Sequence, residues 1–133
     1  MSESRHPVDL ILDASAVLAV LQQEAGAEVV EACMARAGIC AVNLSEVAGK
    51  LIDIGMPEPE AQDVVEALGL TVIPFDSVLA WQAALLRPTV RRFGLSLGDR
   101  ACLATGIALN RPVVGADKVW SELGLALEIK LIR

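Results

Sequence analysis

The sequence LSLGDRACLATGIALNRPVVGADKVW, residues 95–120, predicts a helix, a tight turn and a buried strand. Asp99 lies in the first turn of the predicted helix, and Asp117 lies just beyond the carboxyl end of the predicted strand. In open α/β sheets, the ligand crevice lies outside the carboxyl ends of the strands. Two carboxylates directed at one crevice repel each other unless a cation or a proton lies between them. This stretch therefore raises the question of a cation site.

The composition indicates a single domain, residues 1–133, with a full apolar core. Hydrophobic residues make up 54% of the 133 residues, and no apolar run is long enough to span a membrane. Residues 1–7 are polar, lack the apolar core of a signal peptide and are expected to form a flexible N-terminal segment. Three cysteines without a CxxC pair fit reduced thiols, so we expect a cytoplasmic protein. The single histidine, His6, makes a structural zinc site or a His-based triad hard to build.

Charge is distributed unevenly along a chain whose net charge is −6. Residues 1–76 contain 13 acidic and 3 basic residues, whereas residues 77–133 contain 4 acidic and 8 basic residues. A local basic surface can attract a polyanion even on an acidic protein. The candidates for such a surface flank Asp99 and Asp117, and they are Arg87, Arg91, Arg92, Arg100 and Lys118. The same residues are equally compatible with a solvated face or with salt bridges.

Strand and helix patterns alternate along the chain, which predicts a parallel sheet covered on both faces. The predicted strands are residues 8–12, 39–42, 70–73, 113–116 and 126–132. The predicted helices are residues 15–22, 25–37, 43–54 and 60–68, a fifth that begins at residue 76 or 77, and residues 96–109 and 117–123. Gly38 is expected to end the second helix, Asn43 to cap the third, and Asp76 or Ser77 to cap the fifth. Pro88 is expected to kink or break the fifth helix.

Four acids lie where a sheet of this kind gathers its functional groups. Asp13 follows the first strand, Glu46 lies in the first turn of the third helix, and Asp99 and Asp117 complete the set. A cluster of carboxylate oxygens without histidine or cysteine suits Mg²⁺ or Mn²⁺ rather than zinc. Such ions activate water and stabilise negative charge on a phosphoryl group. The four acids therefore point to metal-assisted cleavage of phosphodiester bonds.

Helix capping is the alternative explanation for most of these acids. Glu46 and Asp99 each follow a capping residue by three positions, and the helix dipole favours an acid in a first turn. Asp117 can equally cap its own short helix. Asp13 is harder to explain in this way, because it interrupts an apolar sequence where a carboxylate is costly unless paired, hydrogen-bonded or metal-bound. The residues alone leave both explanations open.

Four segments carry a resemblance to a known family, and they are LDASA (12–16), NLSEV (43–47), LSLGDRACLA (95–104) and ADKVW (116–120). In their order and spacing, the chain resembles the PIN-domain ribonucleases, and most closely the VapC toxins of VapBC toxin–antitoxin pairs. The resemblance covers nearly the whole chain, and the segment around Asp99 is its most specific part. It implies one PIN-like three-layer α/β domain, with a parallel sheet of order 3-2-1-4-5 flanked by helices.

The resemblance also implies a site and an activity. The family's acidic quartet corresponds to Asp13, Glu46, Asp99 and Asp117, with Asp13 and Asp99 as the main ligands of a first Mg²⁺ or Mn²⁺ ion. Members of the family cleave RNA with metal-activated water, usually form homodimers, and are inhibited by a cognate VapB-like antitoxin. Ser15 is expected to orient a ligand or a water molecule, although it can also simply begin a helix.

One residue departs from the family pattern. Gly115, two residues before the last acid, stands where relatives often carry a hydroxyl side chain. Loss of that hydroxyl is expected to weaken support for the metal site and to affect the rate more than the type of reaction.

Two predicted amphipathic helices, residues 25–37 and 60–68, offer surfaces for a partner helix or another subunit. Their apolar residues are Val29, Val30, Met34, Val64, Val65 and Leu68. Packing of these residues into the domain's own core is the simpler explanation.

Two other functions compete with the ribonuclease hypothesis. A receiver-like signalling domain also collects acids at strand ends and binds Mg²⁺, but it requires an acidic pair after the first strand, where Asp13 is single. A PIN-like protein without activity, serving as a binding partner, is the second alternative. The presence of all four acids argues against it.

Overall fold

A computed structural model describes residues 8–133, and the predicted flexible segment 1–7 lies outside these residues. The strands are β1 (Leu10–Leu12), β2 (Ala37–Cys40), β3 (Thr71–Ile73), β4 (Val113–Gly115) and β5 (Ile129–Leu131). The helices are α1 (Ala14–Leu21), α2 (Ala27–Glu31), α3 (Ala41–Asp53), α4 (Glu58–Glu66), α5 (Ser77–Leu85), α6 (Arg87–Val90) and α7 (Leu97–Leu109). Short 3₁₀ turns at Met34–Arg36, Arg91–Phe93 and Lys118–Glu122 complete the chain.

The five strands form one parallel sheet in the order β3-β2-β1-β4-β5, which confirms the predicted order 3-2-1-4-5. β1 lies at the centre, where Leu10 pairs with Ala37 of β2 and Ile11 pairs with Val113 of β4. Because all strands are parallel, their carboxyl ends meet at one edge of the sheet. Receiver-type domains have the order 2-1-3-4-5, so this topology is not that of the signalling alternative.

Both faces of the sheet are covered by helices, which produces the three layers. Leu10 and Leu12 of β1 pack in one apolar cluster with α1 and α3, whereas Ile11 packs in the other with Leu103 of α7. Neighbouring residues of a strand point to opposite faces, so an all-apolar strand such as LIL is buried on both sides. Helix α7 lies against β1, β2 and β4 and thereby fixes its N-terminus near the carboxyl edge.

The predicted helix 25–37 is wrong in its second half. Helix α2 ends at Glu31, a 3₁₀ turn follows, and Gly38 lies inside strand β2 rather than ending a helix. The physical reason is pairing with β1, which draws the chain into the sheet from Ala37 onward. A Cβ at Gly38 would lie 3.0 Å from Cγ1 of Val8, so glycine serves close packing there.

Asn43 is not the N-cap of α3. The strand β2 ends at Cys40, and α3 begins directly at Ala41 with Cys40 in the capping position. Asn43 therefore lies inside the first turn of the helix and is fully buried, and the prediction that Glu46 lies in this first turn is wrong, because the helix begins two residues earlier than expected.

The predicted helix starts and breaks in the second half of the chain are confirmed. Asp76 caps α5 by accepting a hydrogen bond from the backbone N–H of Leu79. The helix breaks near Pro88, which lies in the first turn of α6. The final strand is shorter than predicted, with Ile129–Leu131 in place of residues 126–132. Within residues 8–133, no helix combines the length and the apolar character that a membrane crossing requires.

Candidate functional site

Asp13 lies at the carboxyl end of the central strand and is only 7% exposed. It caps helix α1, because its Oδ2 accepts hydrogen bonds from the backbone N–H of Ser15 at 3.3 Å and from the Ser15 hydroxyl at 2.7 Å. The hydroxyl oxygen of Ser15 in turn accepts a hydrogen bond from the backbone N–H of Ala116, just beyond β4, at 3.0 Å. Ser15 therefore ties the buried carboxylate to the end of the neighbouring strand.

Glu46 is held from α3 against the N-terminus of α7. The side-chain Nδ2 of Asn43 donates to Oε1 of Glu46 at 2.9 Å and to the backbone carbonyl of Gly98 at 3.0 Å. Both partners are acceptors, which fixes the orientation of the buried amide. A Cβ at position 98 would overlap the Glu46 carboxylate, so any other residue there would displace the end of the Glu46 side chain.

Asp99 lies in the first turn of α7, and the predicted Ser96–Asp99 pair forms a full capping box. Oδ2 of Asp99 accepts hydrogen bonds from the backbone N–H and the hydroxyl of Ser96, at 3.0 and 3.1 Å. The backbone N–H of Asp99 donates to the Ser96 hydroxyl at 3.2 Å. Asp99 therefore does cap its helix, as the alternative explanation predicts. Capping does not explain why its charge also acts on the buried Asp13.

Two of the predicted acids, Glu46 and Asp99, act electrostatically on a third, Asp13. Burial raises the pKa of Asp13 from 3.8 to about 6; the hydrogen bonds from Ser15 partly oppose this rise, and the charges of Asp99 and Glu46 add to it. The Cys102 thiol is fully buried. Its burial, followed by the charges of Asp13, Cys40, Asp99 and Glu46, raises the pKa of this thiol well above its usual value. Cys102 is therefore a protonated core residue and not a nucleophile.

The donor chemistry of Asp13, Glu46 and Asp99 fits a hard divalent cation. Each carboxylate is anchored through one oxygen, and within residues 8–133 no hydrogen bond engages Oδ1 of Asp13, Oε2 of Glu46 or Oδ1 of Asp99. As the side chains stand, no group of three acidic, histidine or cysteine residues in this part of the chain is close enough to surround an ion.

The interactions of Asp117 differ from those of the other three acids. It is exposed and caps the 3₁₀ turn after β4, where its Oδ1 accepts a hydrogen bond from the backbone N–H of Val119 at 3.0 Å. A side chain at Gly115 would point toward the site, because its Cβ would lie 3.4 Å from Cβ of Asp13 and 3.6 Å from the Ser15 hydroxyl oxygen. Position 115 has no hydroxyl to support Asp13, and the hydroxyl of Ser15 provides that hydrogen bond.

The structure divides the predicted basic surface. Arg87, Arg91 and Arg100 line one small cleft beside the N-terminus of α7. The guanidinium of Arg92 instead lies over the ring of Phe93, at 4.8 Å from its centroid. Lys118 is exposed in the 3₁₀ turn that follows Asp117. Only three of the five candidates therefore share one surface feature.

Asn43 and Gly98 are the residues of the site that sequence reasoning missed. Asn43 precedes Glu46 by three positions, which places both on one face of a helix and was a usable signal. Gly98, placed in the first turn of a helix at a cost in helix propensity, was a second signal. Their meeting across 55 residues of sequence was not visible in either local pattern.

The family model of the PIN domain matches residues 10–125 of this chain. The search of curated protein sequences found no match to this chain. Among solved structures, the chain is similar to a toxin–antitoxin complex from Klebsiella pneumoniae, with TM-score 0.73, 17% identity and coverage of 93% of this chain and 98% of that chain. It is also similar to DNA-bound VapBC from Salmonella typhimurium, with TM-score 0.74, 16% identity and coverage of 95% and 99%. A third similar structure is FitAcB from Neisseria gonorrhoeae, with TM-score 0.69, 16% identity and coverage of 92% and 97%.

The raised pKa of Asp13 predicts a pH-dependent stability of the metal-free protein. Between pH 3.8 and about 6, the folded state holds a proton on Asp13 that the unfolded chain has already lost. The free energy of unfolding therefore falls as pH rises through this window, by about 2–3 kcal/mol from this group. Asp13→Asn removes the contribution, so its stability relative to wild type should increase by that amount between pH 4 and pH 7.

Urea unfolding in EDTA at both pH values measures this difference, and Asp53→Asn, which alters an exposed acid, is the control. A stability difference between Asp13→Asn and wild type that does not change with pH would contradict a raised pKa of Asp13.

Proposed function

Because this chain belongs to the PIN-domain family, we propose that it is a metal-dependent endoribonuclease that acts as the toxin of a toxin–antitoxin pair in the cytoplasm. The observation that carries the proposal is the set of three anchored carboxylates, Asp13, Glu46 and Asp99. Each leaves one oxygen without a hydrogen bond in the described part of the chain. Helix capping alone does not require a buried aspartate between two further acids.

The proposed roles follow from these anchors. Asp13 and Asp99 are the main ligands of Mg²⁺ or Mn²⁺, and Glu46 and Asp117 complete the site directly or through water. When bound, such an ion lowers the pKa of water and neutralises charge on phosphoryl oxygens. Ser15 orients Asp13 through its hydroxyl. Within residues 8–133 there is no histidine, and the buried Cys102 thiol is protonated, so water is the proposed nucleophile.

An antitoxin has a suitable groove between α3 and α4. The groove has a volume of about 420 Å³ and a floor formed by apolar side chains such as Leu44, Ala61 and Val65. Its rim carries Glu58 and Glu66, which would attract a basic partner. An amphipathic helix with a basic edge is therefore the proposed occupant. Since α3 also carries Glu46, a segment in this groove would lie on the helix that contributes to the acidic centre.

A second copy of the chain is the proposed occupant of a different surface, the outer stripe of α5. Val78, Trp81 and Leu85 are 62%, 70% and 70% exposed, and α5 contains no charged residue. A two-fold dimer buries the same surface patch of both copies, so a patch of one charge repels itself and an uncharged patch does not. The acidic helix α4 is unsuited to such self-association. A homodimer through α5 is therefore proposed.

Cleavage of RNA tests the proposed activity directly. Antitoxin-free protein should cut RNA with Mn²⁺ or Mg²⁺ and not in EDTA, with total RNA, tRNA and ribosomal RNA assayed separately. Loss of groups that support metal ligands typically costs about 10–100-fold, so Asp13→Asn and Asp99→Asn should each lose at least about 100-fold. Asp53→Asn is the matched control.

Cuts that persist in EDTA, or in both variants, would contradict the proposed site. A folded, metal-binding protein that cuts none of these substrates would favour the binding protein without activity.

Sedimentation velocity measures the oligomeric state and so tests whether the dimer forms through the α5 stripe or through the α3–α4 groove. Trp81→Glu places a charge in the apolar stripe of α5 and should convert a wild-type dimer into a monomer, whereas Ile52→Glu, in the α3–α4 groove, should leave it dimeric. The opposite pattern would assign the dimer to the groove and leave α5 without the proposed role.

A further inference from the structure

The three arginines beside the acidic centre form a distinct cleft and not a diffuse basic surface. Arg87, Arg91 and Arg100 line a cavity of about 180 Å³ together with Val90, Gly94 and Leu95, and no acidic residue lines it. The helix break at Pro88 separates Arg87 from α5, yet Arg87 and Arg91 still lie on the same cleft. Within residues 8–133, the ion pairs are Arg36–Asp9 and Arg133–Glu24, and neither involves these arginines. The cleft therefore concentrates positive charge that the described part of the chain does not neutralise.

The cleft is partly rigid before any ligand binds. Nη1 of Arg100 donates a hydrogen bond to the backbone carbonyl of Ala83 at 3.1 Å, which holds the guanidinium against α5 and leaves its other N–H groups available. Gly94 has a φ of +68°, a left-handed conformation that turns the chain between the 3₁₀ turn and α7. A guanidinium fixed in this way loses less freedom when it binds an anion than a freely mobile one.

The position of the cleft relates it to the proposed reaction. Leu95 and Arg100, which line it, flank Ser96 and Asp99 on the first turn of α7. Asp99 of the acidic centre and Arg100 of the arginine cleft are therefore adjacent in α7, and the first feature suits a cation and the second an anion. An RNA strand carries a phosphate at every nucleotide, so a strand positioned at the acids presents further phosphates close by.

We propose that Arg87, Arg91 and Arg100 bind a backbone phosphate of the RNA adjacent to the phosphodiester that is cleaved. The proposal rests on the ribonuclease function proposed above. Guanidinium groups recognise phosphate oxygens through paired N–H donors, and a volume of about 180 Å³ corresponds to roughly six water molecules, which is enough for a phosphate. An acidic segment of a protein partner is the competing ligand, and a comparison of poly-glutamate with RNA distinguishes the two.

The test compares two adjacent arginines. Arg91→Gln removes a charge from the cleft, whereas Arg92→Gln removes the same charge from a residue stacked on Phe93, outside the cleft. Both side chains are exposed, so both variants are expected to fold. Arg100 is left unchanged, because its hydrogen bond to Ala83 also joins α7 to α5.

Binding of a fluorescent single-stranded oligoribonucleotide in EDTA gives the first readout, independent of cleavage. Arg91→Gln should weaken binding about tenfold and lower the dependence of log Kd on log salt by about 1, the value for one lost phosphate contact. Arg92→Gln should weaken binding less than about threefold. With Mn²⁺ present, Arg91→Gln should raise KM and leave kcat nearly unchanged.

Titration with inorganic phosphate, followed by ¹H–¹⁵N NMR, gives the second readout. The amide signals of Gly94 and Leu95 should shift in wild type and Arg92→Gln but not in Arg91→Gln. Equal effects of the two variants on RNA binding would contradict phosphate binding in the cleft and would leave the nuclease proposal intact. Phosphate and RNA binding as expected, without cleavage, would support the cleft and contradict the nuclease. Tighter binding of poly-glutamate than of RNA would overturn the proposal in favour of an acidic protein partner.

Discussion

The main electrostatic constraint in this structure is that a buried carboxylate at the carboxyl edge of the parallel sheet feels the charges of two others. Asp13 is buried there, and the charges of Glu46 and Asp99 further disfavour its ionised form. Such an arrangement costs folding free energy unless a proton or a cation is present. Burial of the apolar strands between two helical layers offsets this cost in folding free energy.

Each carboxylate is fixed by a different local device, and each device engages only one of its oxygens. The Ser15 hydroxyl holds Asp13, the buried amide of Asn43 holds Glu46, and the capping residue Ser96 holds Asp99. The anchors orient the carboxylates without using up their capacity to bind a ligand. The arginine cleft, to which α7 contributes Arg100, adds the opposite charge, so a strand of RNA would meet an anion site beside a cation site.

Local sequence patterns predicted those parts of the fold that local physics determines. The Ser96–Asp99 capping box, the cap at Asp76 and the break at Pro88 were visible because they involve neighbouring residues. The sheet order was predicted through the family resemblance and not from periodicity. The end of α2 was wrong because the pairing of Leu10 with Ala37 overrides a helical pattern. The role of Asn43 was missed because its partner, the carbonyl of Gly98, lies 55 residues away.

Binding of Mn²⁺ to EDTA-treated protein, measured by isothermal titration calorimetry at neutral pH, tests the central claim that Asp13, Glu46 and Asp99 form one metal centre. The wild-type protein should bind Mn²⁺, and Asp13→Asn, Glu46→Gln and Asp99→Asn should each lower the affinity by at least about tenfold, while the exposed-site control Asp53→Asn should not. Absence of binding by the wild type, or an equal loss in Asp53→Asn, would contradict the account. In that case Glu46 and Asp99 would be explained by their contacts at helix N-termini alone.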